Sequence, residues 1–246
     1  MNKILCLATL TTVLWIPPAW AEGLNASTEL EARSETSRFE LSSVEELAAD
    51  GWQQTATDIW RKTFDNGDEA EITFGGVALE RATQRIEAEL EALGSLEKLD
   101  ERQELRLHEL LVRHEELQQV EPRFGDLCGM QTCGLCTGTA IFDHALVRPN
   151  FAYPFVQAKT IFGRTSPAGS AMVAAEASFC GTIGCDFPPR VSQSGSQNIL
   201  TALVTAGGNE PTFSCTGEGW GLVYVYGSGL PLGCRTIATY TRNFSC

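Results

Sequence analysis

Apolar residues recur every three or four positions between residues 77 and 117, with Gln103 and His114 filling two positions of the stripe. This spacing is typical of the buried stripe of an amphipathic helix. Gly94 interrupts the stripe, and a glycine inside a helix costs about 1 kcal/mol relative to alanine. The pattern therefore predicts two antiparallel helices joined by a short loop, and a continuous coiled coil is the alternative. Asp100 and Gln103 are spaced to cap the second helix.

The segment before these helices alternates between apolar and polar residues, which predicts a β-hairpin. Residues 59–64 and 69–74 have strand composition. The Asn66-Gly67 dipeptide between them suits a type I′ turn, which needs positive φ at both positions. Residues 42–48 predict one or two helical turns ahead of the hairpin.

From Cys128 onward, short apolar runs lie between turns rich in glycine, serine and threonine, which is typical of an all-β sandwich or small barrel. The strand candidates are residues 152–162, 171–179, 199–206, 219–226 and 236–244. Residues 171–178 are rich in alanine, so a helix is the alternative there. The predicted fold class is α+β: a hairpin and helical pair, then a disulfide-stapled, sandwich-like β domain.

The charge distribution indicates where the two parts meet. Residues 22–125 hold 25 acidic and 11 basic side chains, whereas residues 126–246 hold 6 of each, in a chain of net charge −13. We therefore predict one domain over residues 42–121 and a cysteine-rich β domain over residues 126–246. The acidity argues against nucleic acid and anionic membranes as partners, because both would repel the chain.

The first 21 residues have the three parts of a secretion signal peptide. Lys3 supplies the positive charge, residues 4–16 form an uncharged apolar run, and residues 19–21 are a small-x-small cleavage site. A bilayer-spanning helix needs about 20 apolar residues, so the run predicts a signal, with an uncleaved anchor as the alternative. The mature chain is predicted to be secreted or periplasmic, without membrane insertion after cleavage. Its polar start, residues 22–41, is predicted to be a flexible tail.

Eight cysteines follow the predicted signal. They are Cys128, Cys133, Cys136, Cys180, Cys185, Cys215, Cys234 and Cys246. An even number of cysteines in an exported chain predicts disulfides rather than a reactive thiol. The expected disulfides join cysteines that are close in sequence, such as Cys180 with Cys185 and Cys215 with Cys234. The full pairing stays open, because eight cysteines allow 105 pairings.

Three other roles for the cysteines are alternatives to structural disulfides. Cys128, Cys133 and Cys136 have the spacing of ligands in a plant-type iron–sulfur site. Cys133 and Cys136 could instead join Cys180 and Cys185 around zinc, or form a disulfide exchanger. Export of an unfolded chain to an oxidising compartment disfavours both metals. The flanks of Cys133 and Cys136 do not resemble a βαβ unit, which disfavours the disulfide exchanger. We therefore predict no cofactor or metal.

The histidines offer little for catalysis. His108 and His114 are six residues apart, so they do not share the helix face that a zinc protease motif needs. Asp143 and His144 are adjacent in the cysteine-rich part, which lacks the Gly-x-Ser-x-Gly elbow of many serine hydrolases. A hydrolase centred on Asp143 and His144 is therefore an alternative function rather than the favoured one, and catalytic residues are left unassigned.

One predicted strand carries a row of aromatic residues on a single face. Trp220, Tyr224 and Tyr226 share this face with Leu222, because every second residue of a strand points the same way. Exposed, such rings stack on sugars or anchor a protein partner. Buried, they form the core of the sandwich, which is the commoner outcome.

The N-terminal part resembles a recurring module of uncharacterised secreted bacterial proteins whose C-terminal parts contain cysteines and are rich in β-structure. The resemblance covers residues 50–120. Its motifs are Gly51-Trp52 through Trp60, Asp65-Asn66-Gly67, Phe74-Gly75-Gly76 and the helical pair. This resemblance implies architecture and secretion, and no activity.

These patterns together favour a secreted, non-catalytic structural or interaction protein. A carbohydrate-binding module that uses the face from Trp220 to Tyr226 is one alternative, and a hydrolase is the other. The partner is expected to be a protein or a polysaccharide, and the helical pair is expected to support a homo-oligomer.

Overall fold

A computed structural model describes residues 35–41, 44–118, 138–148, 153–164, 169–209, 212, 214–226 and 236–245. This part of the chain is mostly β, with antiparallel sheets, few helices and a disulfide between Cys180 and Cys185. The predicted boundary near residues 121–127 and the cysteines before residue 138 lie outside it.

The strands fall into two antiparallel sheets. Their bounds are β1 Glu35–Leu41, β2 Gln53–Ala56, β3 Ile59–Thr63, β4 Glu69–Phe74, β5 Gly138–Val147, β6 Phe155–Arg164, β7 Ser170–Cys180, β8 Cys185–Asp186, β9 Val191–Gly195, β10 Ile199–Gly207, β11 Thr216–Tyr226 and β12 Thr236–Ser245. Sheet A has the order β1-β5-β6-β10. Sheet B has the order β2-β3-β4-β12-β11-β7-β8, and β9 also pairs with β7.

Within the described residues, three helices accompany the sheets: α1 Val44–Ala49, α2 Gly75–Gly94 and α3 Glu101–Gln118. Helix α2 starts directly after β4, at Gly75, whose φ of +55° suits glycine. The predicted cap of α3 is present, since the backbone N–H of Gln103 donates to the Asp100 carboxylate and the Gln103 side chain accepts from the Asp100 N–H.

The core lies in two layers. Between the sheets, Phe142 and Phe162 of sheet A pack with Ile72, Val223 and Tyr240 of sheet B. The other face of sheet B is covered by the helices. Its buried residues are Met172, Ala174, Trp220, Leu222, Tyr224 and Ile237, under Ala78, Leu79, Ala82 and Ile86 of α2 and Leu110 of α3. The layers are thus sheet A, sheet B and helices.

The predicted strands of the cysteine-rich part are present as β6, β7, β10, β11 and β12. The alternative helix over residues 171–178 is wrong, because β7 pairs with β11 on one side and β9 on the other. The hairpin over residues 59–74 is present, but its turn is a three-residue loop. The N–H of Gly67 donates to the Phe64 carbonyl, and Gly67 alone in this loop has positive φ, at +86°.

Two pairings cross the predicted division of the chain. Strand β1 lies in the segment predicted to be a flexible tail, yet residues 35–41 pair along β5. Hairpin strand β4 pairs with β12, from Phe74 with Ala238 to Glu69 with Asn243. Hydrogen bonds to distant strands therefore order residues 35–41 and join the hairpin to the rest of sheet B.

Candidate functional site

A polar groove of about 460 Å³ lies on the helix-covered face of sheet B, beyond the edge of α2. Its lining residues are Arg61, Lys62, Thr63, Glu69, Ala70, Glu71, Arg81, Arg85, Glu218, Trp220, Thr239, Thr241 and Asn243. This volume is in the range of small-ligand sites, roughly 300–1,000 Å³. We call it the sheet B groove.

The floor of the sheet B groove follows from the register of four strands. Arg61 pairs with Glu71, Glu71 with Thr241, and Thr241 with Trp220. Residues that pair across antiparallel strands point to the same face of the sheet. A row of side chains therefore runs across β3, β4, β12 and β11, and a second row, from Thr63 to Glu218, lies two residues away.

Helix α2 forms one wall of the groove. Arg81 and Arg85 are one helical turn apart and so lie on the same side of the helix. Arg85 reaches Glu218 of β11, where its Nη2 donates to Oε1 at 2.5 Å, and its Nε donates to Glu176 of β7. Arg81 lies closer to the open end, with Nη2 3.7 Å from Glu71 Oε1.

A network of ion pairs between Arg85, Glu176 and Arg190 supports this wall on its inner side. The carboxylate of Glu176 accepts hydrogen bonds from both Arg85 and Arg190. Burial alone would raise the pKa of Glu176, but the two guanidinium groups outweigh it and lower that pKa. Burial would likewise lower the pKa of Arg85, and Glu176 and Glu218 together raise it. Glu176 and Arg85 are therefore held as ions.

Trp220 is packed within the same network. The guanidinium carbons of Arg85 and Arg190 lie 5.2 and 5.1 Å from the centre of its ring, within the range of a cation–π contact. The indole also packs in the core under α2, where it is 2% exposed. Trp220 thus acts as a rigid support between the groove and the apolar layer.

Glu71 lies between two exposed arginines at the mouth of the groove. Arg61 Nε donates to Glu71 Oε2 at 2.9 Å, and Arg81 lies on the other carboxylate oxygen. The Arg61 and Arg81 side chains remain 59% and 48% exposed, against 23% for Glu71. A guanidinium has five N–H donors, so both arginines keep donors for a ligand while Glu71 fixes their position.

The aromatic face predicted on β11 forms part of the core. Trp220, Leu222 and Tyr224 are buried under α2, and Tyr226 is partly buried against the same cluster. The rings of Tyr224 and Tyr226 stack on each other, with centres 4.8 Å apart. These side chains do not form an exposed row, and only Trp220 among them lines the groove.

Asp143 and His144 point to opposite faces of β5. His144 is fully buried between the sheets, where its ring lies 4.7 Å from the ring of Tyr240, and Asp143 is half-buried on the outer face of sheet A. Burial lowers the pKa of His144 to about 3; a backbone hydrogen bond with Gly219 opposes this and the Arg242 charge adds to it. Neither side chain lines the groove, so we do not propose a hydrolase centred on them.

The described cysteines bear on the metal alternatives. Cys180 and Cys185 face each other across β7 and β8 and are joined by a disulfide, as the local choice predicted. Their sulfurs are therefore not thiolate ligands for zinc. Cys215 is also disulfide-bonded; its predicted partner Cys234 and the other cysteines lie outside the described residues. Within the described ranges, no group of three or more potential ligands is placed to hold a metal.

The homo-oligomer expected through the helical pair stays a prediction. Helix α3 exposes Leu105 and Val112, seven residues apart and so on one stripe, together with Leu111. His108 is exposed, and His114 contacts Glu87 of α2 at 3.2 Å. Among the helices that the structure describes, none is long and apolar enough to cross a membrane.

The groove is not predictable from local patterns in the sequence. Its arginines come from β3 and α2, and its carboxylates come from β4 and β11, which are separated by up to 157 residues, from Arg61 to Glu218. One available signal was the position of Arg81 and Arg85 on one side of an amphipathic helix in an acidic segment. Comparison with protein-family models, with curated proteins and with solved structures finds no match for the chain.

Proposed function

We propose that this chain is an exported, non-catalytic interaction protein that binds a polar ligand in the sheet B groove. The observation that carries this proposal is the groove itself: a concave surface of about 460 Å³ whose charged, hydroxyl and amide side chains converge from four strands and a helix. Concave sites are the usual places where proteins bind ligands, and the mostly polar lining here, unlike the mostly apolar lining of most small-molecule sites, favours a polar ligand.

The chemistry of the lining favours binding over acid–base catalysis. A general acid or base must be free to exchange a proton with its substrate. The carboxylates of Glu218 and Glu71 are instead engaged by Arg85 and Arg61. Groups fixed as ions suit the recognition of a ligand with complementary hydrogen bonds.

The rigid support behind the groove also favours binding. Arg85, Glu176 and Arg190 hold one wall, and this network is anchored on the buried ring of Trp220. A site whose side chains are already fixed loses less conformational entropy when a ligand binds.

The test is to fill the groove. Thr241 lies at the centre of the floor, so Thr241→Trp should block it, and Thr201→Trp on the outer face of sheet A is the matched control. Purified full-length protein would be screened against neutral oligosaccharides, acidic oligosaccharides and peptides. We expect a ligand that wild type and Thr201→Trp bind and Thr241→Trp does not, recovered unchanged by mass spectrometry. Binding that survives in Thr241→Trp, or a processed ligand, would contradict the proposal.

A further inference from the structure

We propose that the sheet B groove recognises an oligosaccharide that bears a carboxylate, with Arg61 and Arg81 binding that carboxylate. This inference rests on the proposed function, since it names the ligand class of the same site.

The mouth of the groove is built for an anion. Arg61, Arg81 and Arg85 line it in a chain whose net charge is −13, whereas the Lys62 ammonium pairs with the Asp50 carboxylate at 3.0 Å. Arg85 is paired with Glu176 and Glu218. Arg61 and Arg81 instead share Glu71 and stay about half exposed. Two guanidinium forks with unused donors on either side of one carboxylate match the planar geometry of a second carboxylate.

The inner part of the groove suits a ligand that also donates hydrogen bonds. Glu69 and Glu218 line it, and an ionised carboxylate only accepts. Thr241 and Asn243 lie beside them and can both donate and accept. Sugar hydroxyls meet both requirements. A phosphate or sulfate chain offers acceptors alone and would be repelled by Glu69 and Glu218.

The balance of charge limits the ligand to few negative groups. Lys62 pairs with Asp50, so three arginines and three carboxylates remain in the lining and the groove has no excess of positive charge to attract a polyanion. The rest of the acidic chain repels polyanions at long range. The geometry therefore points to one carboxylate among neutral hydroxyl-bearing units. Trp220 and Ala70 are buried, which leaves recognition to hydrogen bonds and ion pairs rather than to stacking on an exposed ring.

Titration calorimetry on the full-length protein tests this with three probes: a trisaccharide with one central glucuronate, the same trisaccharide with the carboxylate reduced to an alcohol, and a tripeptide with a central glutamate. We expect the glucuronate probe to bind about 10- to 100-fold tighter than the reduced probe, the range for one charge-assisted contact. Arg81→Gln should remove most of that difference and leave the affinity for the reduced probe within about two-fold. The exposed Lys98→Gln should change neither affinity.

The outcomes separate this inference from the proposed function. Equal binding of both trisaccharides that Thr241→Trp abolishes would overturn the carboxylate recognition and leave the groove as a binding site. Groove-dependent binding of the tripeptide but neither sugar would overturn the sugar class. A preference for glucuronate that persists in Arg81→Gln and Arg61→Gln would overturn the assignment of these two arginines. Binding of any probe that Thr241→Trp leaves intact would count against the groove itself.

Discussion

Gly219 of β11 lies directly against His144 of β5 across the space between the sheets. A Cβ atom added at residue 219 would stand 2.9 Å from His144 Nδ1 and 3.1 Å from Cγ. His144 is fully buried and its ring also contacts Tyr240, at 4.7 Å between ring centres. The absence of a side chain at residue 219 is therefore what makes room for an imidazole in the core.

Gly219→Ala should destabilise the protein by about 1–3 kcal/mol, because an added methyl group in a packed core forces its neighbours to move. Urea denaturation followed by tryptophan fluorescence measures the change. The control is Gly163→Ala in β6, where an added Cβ has no atom within 4 Å. Equal stabilities of the two variants would show that His144 can move aside without cost.

His144 should also make the protein sensitive to acid. Burial, with the Arg242 charge adding to it, lowers the His144 pKa from 6.5 to about 3 in the folded state. At pH values well above 6.5 the histidine is neutral in both states, and its titration does not change the free energy of unfolding. Between pH 6.5 and about 3 the unfolded chain binds a proton that the folded chain does not. The free energy of unfolding therefore falls by about 1.4 kcal/mol for each pH unit by which the pH is lowered.

The measurement for this prediction is the free energy of unfolding at several pH values from 7.5 to 4.5. His144→Gln should have a smaller slope below pH 6.5 than wild type, whatever its stability at neutral pH. His108→Gln, at an exposed position of α3, should keep the slope of wild type. A slope that is unchanged in His144→Gln would mean that this histidine is not the group responsible.

Most features that depend on a few neighbouring residues are predictable from the sequence. The hairpin over residues 59–74 and the cap formed by Asp100 and Gln103 depend on local chemistry, and both are present. The type I′ turn was a local error: Asn66 keeps a negative φ, and Asp68 completes a three-residue loop by bonding to Phe64.

Features that depend on distant strands were not predictable in the same way. Strand β5 was missed because Asp143 and His144 interrupt its apolar alternation, and only the packing on sheet B shows that His144 is a core residue. The alanine-rich β7 has helical composition, but its partners β11 and β9 impose the strand. The groove needs the register of β3, β4, β12 and β11, which no single stretch of sequence encodes.

Glu176→Gln should cost about 3–5 kcal/mol, the usual effect of removing one partner of a buried ion pair. The substitution would leave Arg85 and the buried Arg190 facing a neutral amide. Urea denaturation is the measurement. Glu87→Gln breaks only the surface contact with His114 and should stay within about 0.5 kcal/mol of wild type. A small effect of Glu176→Gln would show that water solvates both arginines, and the groove wall would not be as rigid as proposed.

A second buried ion pair joins the hairpin turn to the last strand. Arg242 Nη2 donates to Asp68 Oδ2 at 3.0 Å, and both side chains are at most 3% exposed. The guanidinium carbon lies 4.0 Å from the ring centre of Phe64 and 4.9 Å from that of Phe244. Rings can stabilise a cation, but the charge of Asp68 is the partner that compensates for the loss of water around Arg242.

Asp68→Asn should therefore destabilise the protein by about 3–5 kcal/mol, since it leaves a buried guanidinium without its counter-ion. Asp65→Asn, in the exposed part of the same turn, is the matched control and should change stability by less than about 0.5 kcal/mol. Hydrogen exchange adds a local readout: because β4 pairs with β12, amides of both strands should lose protection together in Asp68→Asn. Loss of protection confined to the turn would mean that the rings hold Arg242 without help from Asp68.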